Sequence, residues 1–181
     1  MSRLQPPPRS WLDKFYGVEA QTLYCGQVRV CGGSIEHGRA SGEARSDDGA
    51  LLVDLRLPTQ LGGPGGGTNP EQLLAAAYAA CFHGALTLLA VRASVPVRDV
   101  VVDAAVSFAR DPVDGLFVLS ADIRVSLQGI DRALAAELVR NTERVCPYAK
   151  MFRQGIDHLV TVHLESPPPL TTDKAAGDRQ R

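Results

Sequence analysis

The sequence predicts an α+β fold with one globular domain, in which strands and helices follow the order βββ-α-ββ-α-β. Three observations favour this fold class. Short segments rich in β-branched and apolar residues are separated by turn residues in both halves of the chain. A long alanine-rich segment begins at an Asn-Pro-Glu sequence that is typical of a helix start. The chain has 181 residues and is 45% hydrophobic, which is enough for one buried core.

The N-terminal part of the chain predicts an antiparallel meander of three strands. Residues 21–30 and 50–57 alternate in part between apolar and polar, and residues 34–45 supply the strand between them. The Ser-Asp-Asp-Gly sequence at 46–49 predicts the hairpin turn before the third strand. Glycine and proline crowd residues 58–68, so we expect a long irregular loop there.

A long helix is predicted from Asn69 to about Ala93. Asn69 is a good N-cap, Pro70 suits the first helical position, and Glu71 is favoured by the positive end of the helix dipole. Good helix formers follow, and Pro96 lies just beyond the predicted end. These signals are local and agree with one another.

The same helix has to be tested against a membrane span, because residues 73–91 are almost continuously apolar. Alanine rather than leucine or isoleucine dominates the segment, His83 lies near its middle, and the loop before it carries no basic residue. We therefore predict a helix that is buried on most sides in a soluble protein, and we interpret His83 as a packed or capped side chain.

The second half of the chain predicts a hairpin, a helix and a last strand. Strands at 97–109 and 116–127 are joined through Asp-Pro and Asp-Gly turn sequences. A helix begins at Asp131 and ends near Val145, where Pro147 stops it. Residues 158–165 read as a strand.

The chain divides into an N-terminal extension at 1–20, a globular domain at 21–166 and a C-terminal tail at 167–181 that we predict to be disordered. Nineteen basic and 20 acidic residues give a net charge of −1, so neither a nucleic-acid surface nor an anionic-membrane surface is expected. The first residues hold three consecutive prolines and no apolar core of a signal peptide. We expect the protein in a reducing cytoplasm.

Four cysteines are too few for a disulfide-stapled scaffold, and their positions show no CxxC spacing of the kind that zinc sites use. Cys25 and Cys31 share one face of a predicted strand about 20 Å apart, so they do not bond to each other. We interpret both as buried structural residues. Taken alone, Cys81 in a helix is typical core filler, whereas Cys146 precedes a proline at a helix end and is expected to be exposed.

Three sequence motifs carry a resemblance. GGPGGGTNPEQLLAAAYAACFHGAL at 62–86, RVCPYAK at 144–150 and HGRASGEARSDDG at 37–49 resemble the organic hydroperoxide resistance (Ohr) family of the OsmC-like superfamily. The resemblance covers about residues 23–165. It implies the OsmC/Ohr-like fold, in which two antiparallel β-sheets surround two central helices in an intertwined homodimer.

The resemblance also implies an activity, that of a cysteine-based organic hydroperoxide reductase. Cys81 would attack the peroxide and become a sulfenic acid, and Cys146 would capture it as a disulfide. The implied substrate is an organic hydroperoxide, and the implied reductant is a dithiol such as dihydrolipoamide or a lipoylated protein. No metal, haem or nucleotide cofactor is implied, since the sulfur carries both electrons.

In this family a cation and an acidic partner map onto Arg39 and Glu71. A carboxylate beside Cys81 would raise the thiol pKa, so we expect Glu71 to pair with Arg39 and hold its guanidinium in place. Ten helical residues separate Glu71 from Cys81 by about 15 Å along the axis and turn the two to different faces. If all belong to one site, Glu71 and Arg39 come from a second chain, which predicts a two-fold dimer with two sites at the interface.

The chain departs from the family after the CPY motif, where Ala149-Lys150-Met151-Phe152 replaces the usual Ser-Asn-Ala-Thr type of sequence. Met151 and Phe152 are candidates for an apolar wall that favours alkyl or lipid-like hydroperoxides over hydrogen peroxide, and Tyr78, three residues before Cys81, is expected on the same helix face as Cys81. Two alternatives stay open: an OsmC-type peroxidase of broader peroxide use, and a non-catalytic thiol redox sensor or small-molecule binder whose disulfide forms without turnover.

Overall fold

The computed structural model describes residues 14–34, 40–164 and 170, and in them it shows two antiparallel sheets and three helices. The predicted α+β fold class is confirmed. The strands are β1 (Val28–Cys31), β2 (Ser41–Ser46), β3 (Leu52–Arg56), β4 (Arg98–Arg110) and β5 (Phe117–Gln128). The helices are α1 (Pro70–Arg92), α2 (Arg132–Val145) and α3 (Pro147–Gln154).

The first sheet is the predicted meander in the order β1-β2-β3, with shorter strands than expected. Residues 21–27 are not in a strand, and residues 35–39 lie outside the described part of the chain. The 46–49 turn is confirmed: the Ser46 hydroxyl donates to Asp48 at 2.6 Å, and Asp48 accepts from the Ala50 N–H at 2.9 Å. Gly42, with φ of 101°, lets β1 and β2 approach, since an added Cβ would lie 2.4 Å from the Cys31 carbonyl oxygen.

The loop at 58–68 is not wholly irregular, because Thr59–Leu61 form a 3-10 turn. Its last residue returns to the sheet: the Arg56 N–H donates to the Thr68 carbonyl at 2.8 Å, and the Thr68 N–H donates to Asp54 at 2.9 Å. Asn69 then caps α1 by accepting the Gln72 N–H at 2.9 Å. The loop therefore fixes where α1 begins relative to β3.

The helix α1 has the predicted bounds and turns a narrow apolar stripe towards the core. Every fourth residue from Tyr78 to Ala90 is buried, and the stripe packs against the β4–β5 hairpin and α2. The expectation of burial on most sides is wrong for this single chain, since only 22% of the most apolar window is buried. By length and composition alone the helix is long and apolar enough to cross a membrane, with a mean hydropathy of 1.8.

The strands β4 and β5 form a long hairpin whose even-numbered β4 residues face α1 and whose odd-numbered residues face outwards. The predicted turn is confirmed: Asp111 accepts the Val113 N–H and Asp114 accepts the Leu116 N–H, each at 2.8 Å. In β5 only Ile123, Val125 and Leu127 pack against the core. The hairpin thus forms one wall behind α1.

The helix α3 was not expected from the sequence. Pro147 does end α2, as predicted, because its ring clashes with a continuing helix. Proline also suits the first position of a helix, and here it begins α3, which Gly155 ends with a φ of 72°. Cys146 is therefore at once the C-cap of α2 and the N-cap of α3.

The strand predicted at 158–165 is wrong for residues 158–164, which are exposed and not in a strand. Their apolar residues alternate from Val160 onwards, but a strand needs a neighbour to satisfy its backbone, and none of β1 to β5 pairs with these residues. Of the proposed extension, residues 14–20 are exposed and in neither helix nor strand, and residues 1–13 lie outside the description. Of the tail only Leu170 is described, so its predicted disorder stays a prediction.

Candidate active site

Two cysteines that are distant in sequence lie side by side between the helices. The Cys146 and Cys81 thiols share a hydrogen bond, with the two Sγ atoms 3.4 Å apart. Cys81 is half-buried, and Cys146 is fully buried. The structure therefore brings together the two thiols that the motifs singled out. The expected exposure of Cys146 is wrong, because α3 folds back over it.

Cys146 is held by backbone bonds from both of the helices that it joins. Its N–H donates to the Thr142 carbonyl at 2.9 Å, and its carbonyl accepts the Lys150 N–H at 3.0 Å. Its extended ψ of 119° makes the corner between α2 and α3. Thr142 is itself fully buried and bonds to the Leu138 carbonyl at 2.8 Å. These backbone bonds orient the sulfur of Cys146 towards α1.

The electrostatics of the described residues do not favour a thiolate at Cys81. Burial raises the pKa of the Cys81 thiol, the backbone N–H of Tyr148 opposes the rise, and the adjacent Cys146 sulfur adds to the rise. Since Tyr148 is the first residue of α3 with an N–H to give, the N-terminus of α3 points at Cys81. Among the described residues no cation lowers this pKa.

Three aromatic rings clasp α3 to α1 one helical turn from the sulfurs. The Tyr78 ring stacks on Phe152 with centroids 4.8 Å apart and on Tyr148 with centroids 6.3 Å apart, at interplanar angles of 25° and 21°. We call Tyr78, Tyr148 and Phe152 the aromatic clasp. Tyr78 precedes Cys81 by three residues on the same face of α1. Of the predicted wall, Phe152 contacts Tyr78 and Met151 is half-buried, and the preference of this wall for alkyl hydroperoxides stays a prediction.

An ion pair connects the C-terminal turn of α3 to α2. The Arg153 guanidinium donates to the Glu143 carbonyl oxygen at 3.0 Å and to its carboxylate at 3.3 Å. The side chains are 41% and 55% exposed, so the pair contributes about 0.2–1 kcal/mol. A ring stack contributes about 0.5–1.5 kcal/mol beyond the area it buries. The aromatic clasp is therefore the stronger of the two attachments.

The clasp also affects the tyrosine hydroxyl. Burial raises the pKa of Tyr78, and the nearby Cys146 sulfur raises it further. The phenol therefore stays neutral at physiological pH. It does not bring a negative charge towards Cys81.

The two other predicted site residues do not join the cysteines within the described chain. Glu71 is half-buried in the first turn of α1, and since α1 runs unbroken through Cys81, the two are separated by about 15 Å along one axis. Arg39 lies outside the described residues, so the structure leaves its position open. The site formed by one described chain is a dithiol pair with an aromatic wall.

Three interpretations of single residues are wrong. Cys25 and Cys31, expected to be buried, are both exposed, and only Cys31 lies in a strand. His83, expected to be packed or capped, is exposed on the face of α1 away from the core. Among residues 14–34, 40–164 and 170, no group of three His, Cys, Asp or Glu side chains lies close enough to hold a metal ion.

The Tyr148 N–H and the whole of α3 were missed at the sequence level. The signal was present: proline at a first helical position, followed by eight residues that end at a glycine. Pro147 was interpreted only as a stop signal. Because Pro147 also starts a helix, the residues that follow it, including Tyr148, belong to the site.

Known proteins match this chain over the region that contains both thiols. The family described as OsmC-like protein matches residues 63–161. The organic hydroperoxide resistance protein of Xanthomonas axonopodis pv. citri is 38% identical over 144 residues, which are 78% of this chain and 96% of that protein. The organic hydroperoxide resistance protein OhrB of Bacillus subtilis is 39% identical over 120 residues, which are 66% of this chain and 88% of that protein.

Solved structures agree with the sequence matches. The crystal structure of OhrB of Bacillus subtilis superposes with a TM-score of 0.63 at 38% identity, covering 75% of this chain and 96% of that chain. An organic hydroperoxide resistance protein from Legionella pneumophila superposes with a TM-score of 0.66 at 36% identity, covering 76% of this chain and 95% of that chain.

Proposed function

This chain belongs to the organic hydroperoxide resistance family of the OsmC-like proteins, and we propose that it is a thiol peroxidase that reduces organic hydroperoxides to alcohols. Its relatives are named for resistance to organic hydroperoxides, which supports a peroxide-detoxifying function. The single observation that carries the proposal is the 3.4 Å approach of Cys81 Sγ and Cys146 Sγ. A sulfenic acid on one sulfur would form within reach of the thiol on the other.

The proposed reaction has two steps at these sulfurs. The Cys81 thiolate attacks the distal oxygen of ROOH, the O–O bond breaks, and the products are Cys81 sulfenic acid and the alcohol ROH once a proton is taken up. The Cys146 thiol then attacks the sulfenic sulfur, which forms the Cys81–Cys146 disulfide and releases water. Cys81 is assigned as the attacking residue because it is half-buried, whereas Cys146 is fully buried.

The attacking thiolate needs a cation, because burial raises the pKa of Cys81. We assign that cation to Arg39, held by Glu71, on the strength of their place in the family motifs. Glu71 and Cys81 are separated along one straight helix, so the proposal places Arg39 and Glu71 of one chain beside the thiols of a second chain. The functional unit would be an intertwined homodimer with two sites.

The exposed apolar surface of the single chain supports this assembly. Residues 160–164 alternate between apolar and polar, and Leu159, Val160, Val162 and Leu164 are each more than four-fifths exposed. A strand of a second chain would satisfy that backbone. Most of the apolar surface of α1 is also exposed, since only 22% of its most apolar window is buried. A partner chain would cover this surface.

The aromatic clasp supports an apolar substrate. Tyr78 is buried, and Phe152 remains 39% exposed beside it, so part of the Phe152 side chain is available to an alkyl group. Hydrogen peroxide has no apolar part to use this surface. The disulfide would be reduced by an external dithiol, for which dihydrolipoamide or a lipoylated protein in the cytoplasm is the assigned class.

The test is a titration of the reduced protein with one equivalent of tert-butyl hydroperoxide, followed by peptide mapping without reductant. We expect a Cys81–Cys146 disulfide that forms faster than with hydrogen peroxide and that dihydrolipoamide returns to the dithiol over repeated cycles. The Cys25→Ser/Cys31→Ser variant is the matched control and should react at the wild-type rate. Free thiols at Cys81 and Cys146 after the titration would refute the proposal. A disulfide that forms without repeated turnover would indicate the redox-sensor alternative.

A further inference from the structure

Phe152 lies where this chain departs from its family, and its ring contact is placed to control the geometry of the thiol pair. The residue belongs to α3, directly after the CPY motif. Its ring is 4.8 Å from that of Tyr78, which lies one turn from Cys81 on α1. At the other end of α3 is Cys146, whose sulfur faces Cys81. One short helix therefore connects Phe152 to the resolving thiol.

The helix α3 cannot hold its position by itself. It has eight residues, and helices of this length are marginal without tertiary contacts. It is joined to α2 by one extended residue, Cys146, which is free of a side-chain cap bond. The aromatic clasp connects α3 to α1, and the exposed Arg153–Glu143 pair connects it to α2. Because the Cys146 carbonyl accepts the Lys150 N–H of α3, a swing of α3 away from α1 also moves Cys146.

The sulfur pair is sensitive to such a swing. The Sγ atoms are 3.4 Å apart, and a disulfide needs about 2.05 Å, so Cys146 has to close a further gap of about 1.4 Å. The Tyr148 N–H that points at Cys81 belongs to the first turn of α3 and moves with it. Tyr148 and Phe152 are four residues apart and share the face of α3 that meets Tyr78. Phe152 thus extends the contact of the α3 N-terminus by one full turn.

We propose that Phe152 is a positioning residue for the resolution step, which holds α3 against α1 through Tyr78 and so keeps Cys146 in reach of the oxidised Cys81. This inference rests on the proposed thiol-peroxidase function. Phe152 takes no part in bond making. Peroxide attack at Cys81 does not require Cys146, so loss of the Phe152 ring should lower the attack rate less than it lowers the rate of capture. It should slow the subsequent capture of the sulfenic acid, because the local concentration of the Cys146 thiol falls.

The experiment separates the two steps in the purified full chain. Stopped-flow measurement with tert-butyl hydroperoxide gives the second-order attack rate and the first-order rate of disulfide formation. Intact mass under excess peroxide gives the fraction of Cys81 that escapes to sulfinic acid. We expect Phe152→Ala to slow disulfide formation by about tenfold, to lower the attack rate by a smaller factor, and to raise the sulfinic fraction.

Two further variants give the proposal its controls. Phe152→Tyr keeps the stacked ring and should restore disulfide formation to within about twofold of the wild type. Gln154→Ala changes an exposed residue of the same helix and should leave both rates unchanged. Should Phe152→Ala unfold, Phe152→Leu keeps apolar volume without a flat ring and should give a loss between those of alanine and tyrosine. Wild-type disulfide formation in Phe152→Leu, or an equal fall of both rates in Phe152→Ala, overturns the proposal.

A readout without peroxide keeps this inference distinct from the proposed function. In glutathione redox buffers, the equilibrium between dithiol and disulfide measures how well the two sulfurs are placed. Phe152→Ala should lower the equilibrium constant for forming the Cys81–Cys146 disulfide by about tenfold. An unchanged constant refutes the role of Phe152 whether or not the protein reduces peroxides. A wild-type protein that leaves hydroperoxide intact refutes the peroxidase alone.

Discussion

The surroundings of Cys81 favour the capture of its oxidised form by Cys146 more clearly than they favour its attack on a peroxide. The partner sulfur lies 3.4 Å away and is fully buried, so a sulfenic acid at Cys81 would meet one thiol before solvent thiols. Burial raises the pKa of Cys81, and the Tyr148 N–H opposes only part of the rise. At neutral pH the nucleophilic thiolate would be a minor form unless a cation lies beside it. The proposed cation is Arg39.

Replacing Arg39 by alanine should therefore slow peroxide attack without unfolding the protein. An adjacent positive charge lowers a thiol pKa by about one to three units, so the second-order rate at neutral pH should fall by roughly tenfold or more. The thiolate population grows as pH rises through the pKa of Cys81. The loss of attack rate in Arg39→Ala should therefore shrink with increasing pH. Stopped-flow rates across a pH series measure this. Arg124→Ala, which removes an exposed arginine, is the control. A deficit that is constant with pH would remove Arg39 from thiolate activation.

At the scale of elements, the helix caps set where the site residues begin. Asn69 is buried and accepts the Gln72 N–H at 2.9 Å, so it fixes the start of α1 and with it the position of Glu71. Asn69→Ala should lower the free energy of unfolding by about 1 kcal/mol, since a helix N–H loses its partner. Asn69→Ser keeps a capping oxygen and should lose only a small part of that. Denaturant titration of both variants is the measurement, and equal stability of Asn69→Ala and wild type would contradict the assigned cap.

The elements that the sequence predicted well are those specified by local chemistry. Helix α1 follows from Asn69, Pro70 and Glu71, and the two hairpin turns follow from aspartates that accept backbone N–H groups. Helix α3 was missed because a proline can both end one helix and begin the next, and Pro147 was considered only as the end of α2. The burial of Cys146 was missed for the same reason, since α3 is what covers it.

The last strand was wrong for a different reason. Residues 158–164 have a strand pattern, yet the described chain gives them no neighbour to pair with. Similarly, only the family motifs predicted that Cys81 and Cys146 lie together, because 65 residues separate them in the sequence. Contacts between distant segments depend on packing, and local propensity does not specify packing.

At the scale of the whole molecule, the described chain holds half of the proposed site. The thiols and the aromatic clasp are assembled by α1, α2 and α3, while Glu71 lies at the far end of α1 and Arg39 lies outside the described residues. The uncovered apolar surfaces of α1 and of residues 158–164 are where a second chain would pack. We therefore propose that two chains jointly build a peroxidase site around the Cys81–Cys146 pair.

The measurement that tests this claim most directly is the peroxidase activity of a purified heterodimer that joins a Cys81→Ser chain to an Arg39→Ala chain, each with its own affinity tag. One of its two sites would combine the intact Cys81 of one chain with the intact Arg39 of the other. With tert-butyl hydroperoxide and dihydrolipoamide, we expect about half of the wild-type activity per dimer, although both parent variants are strongly impaired. If no heterodimer can be recovered, or if its activity equals the mean of the two parents, the two-chain peroxidase site is contradicted.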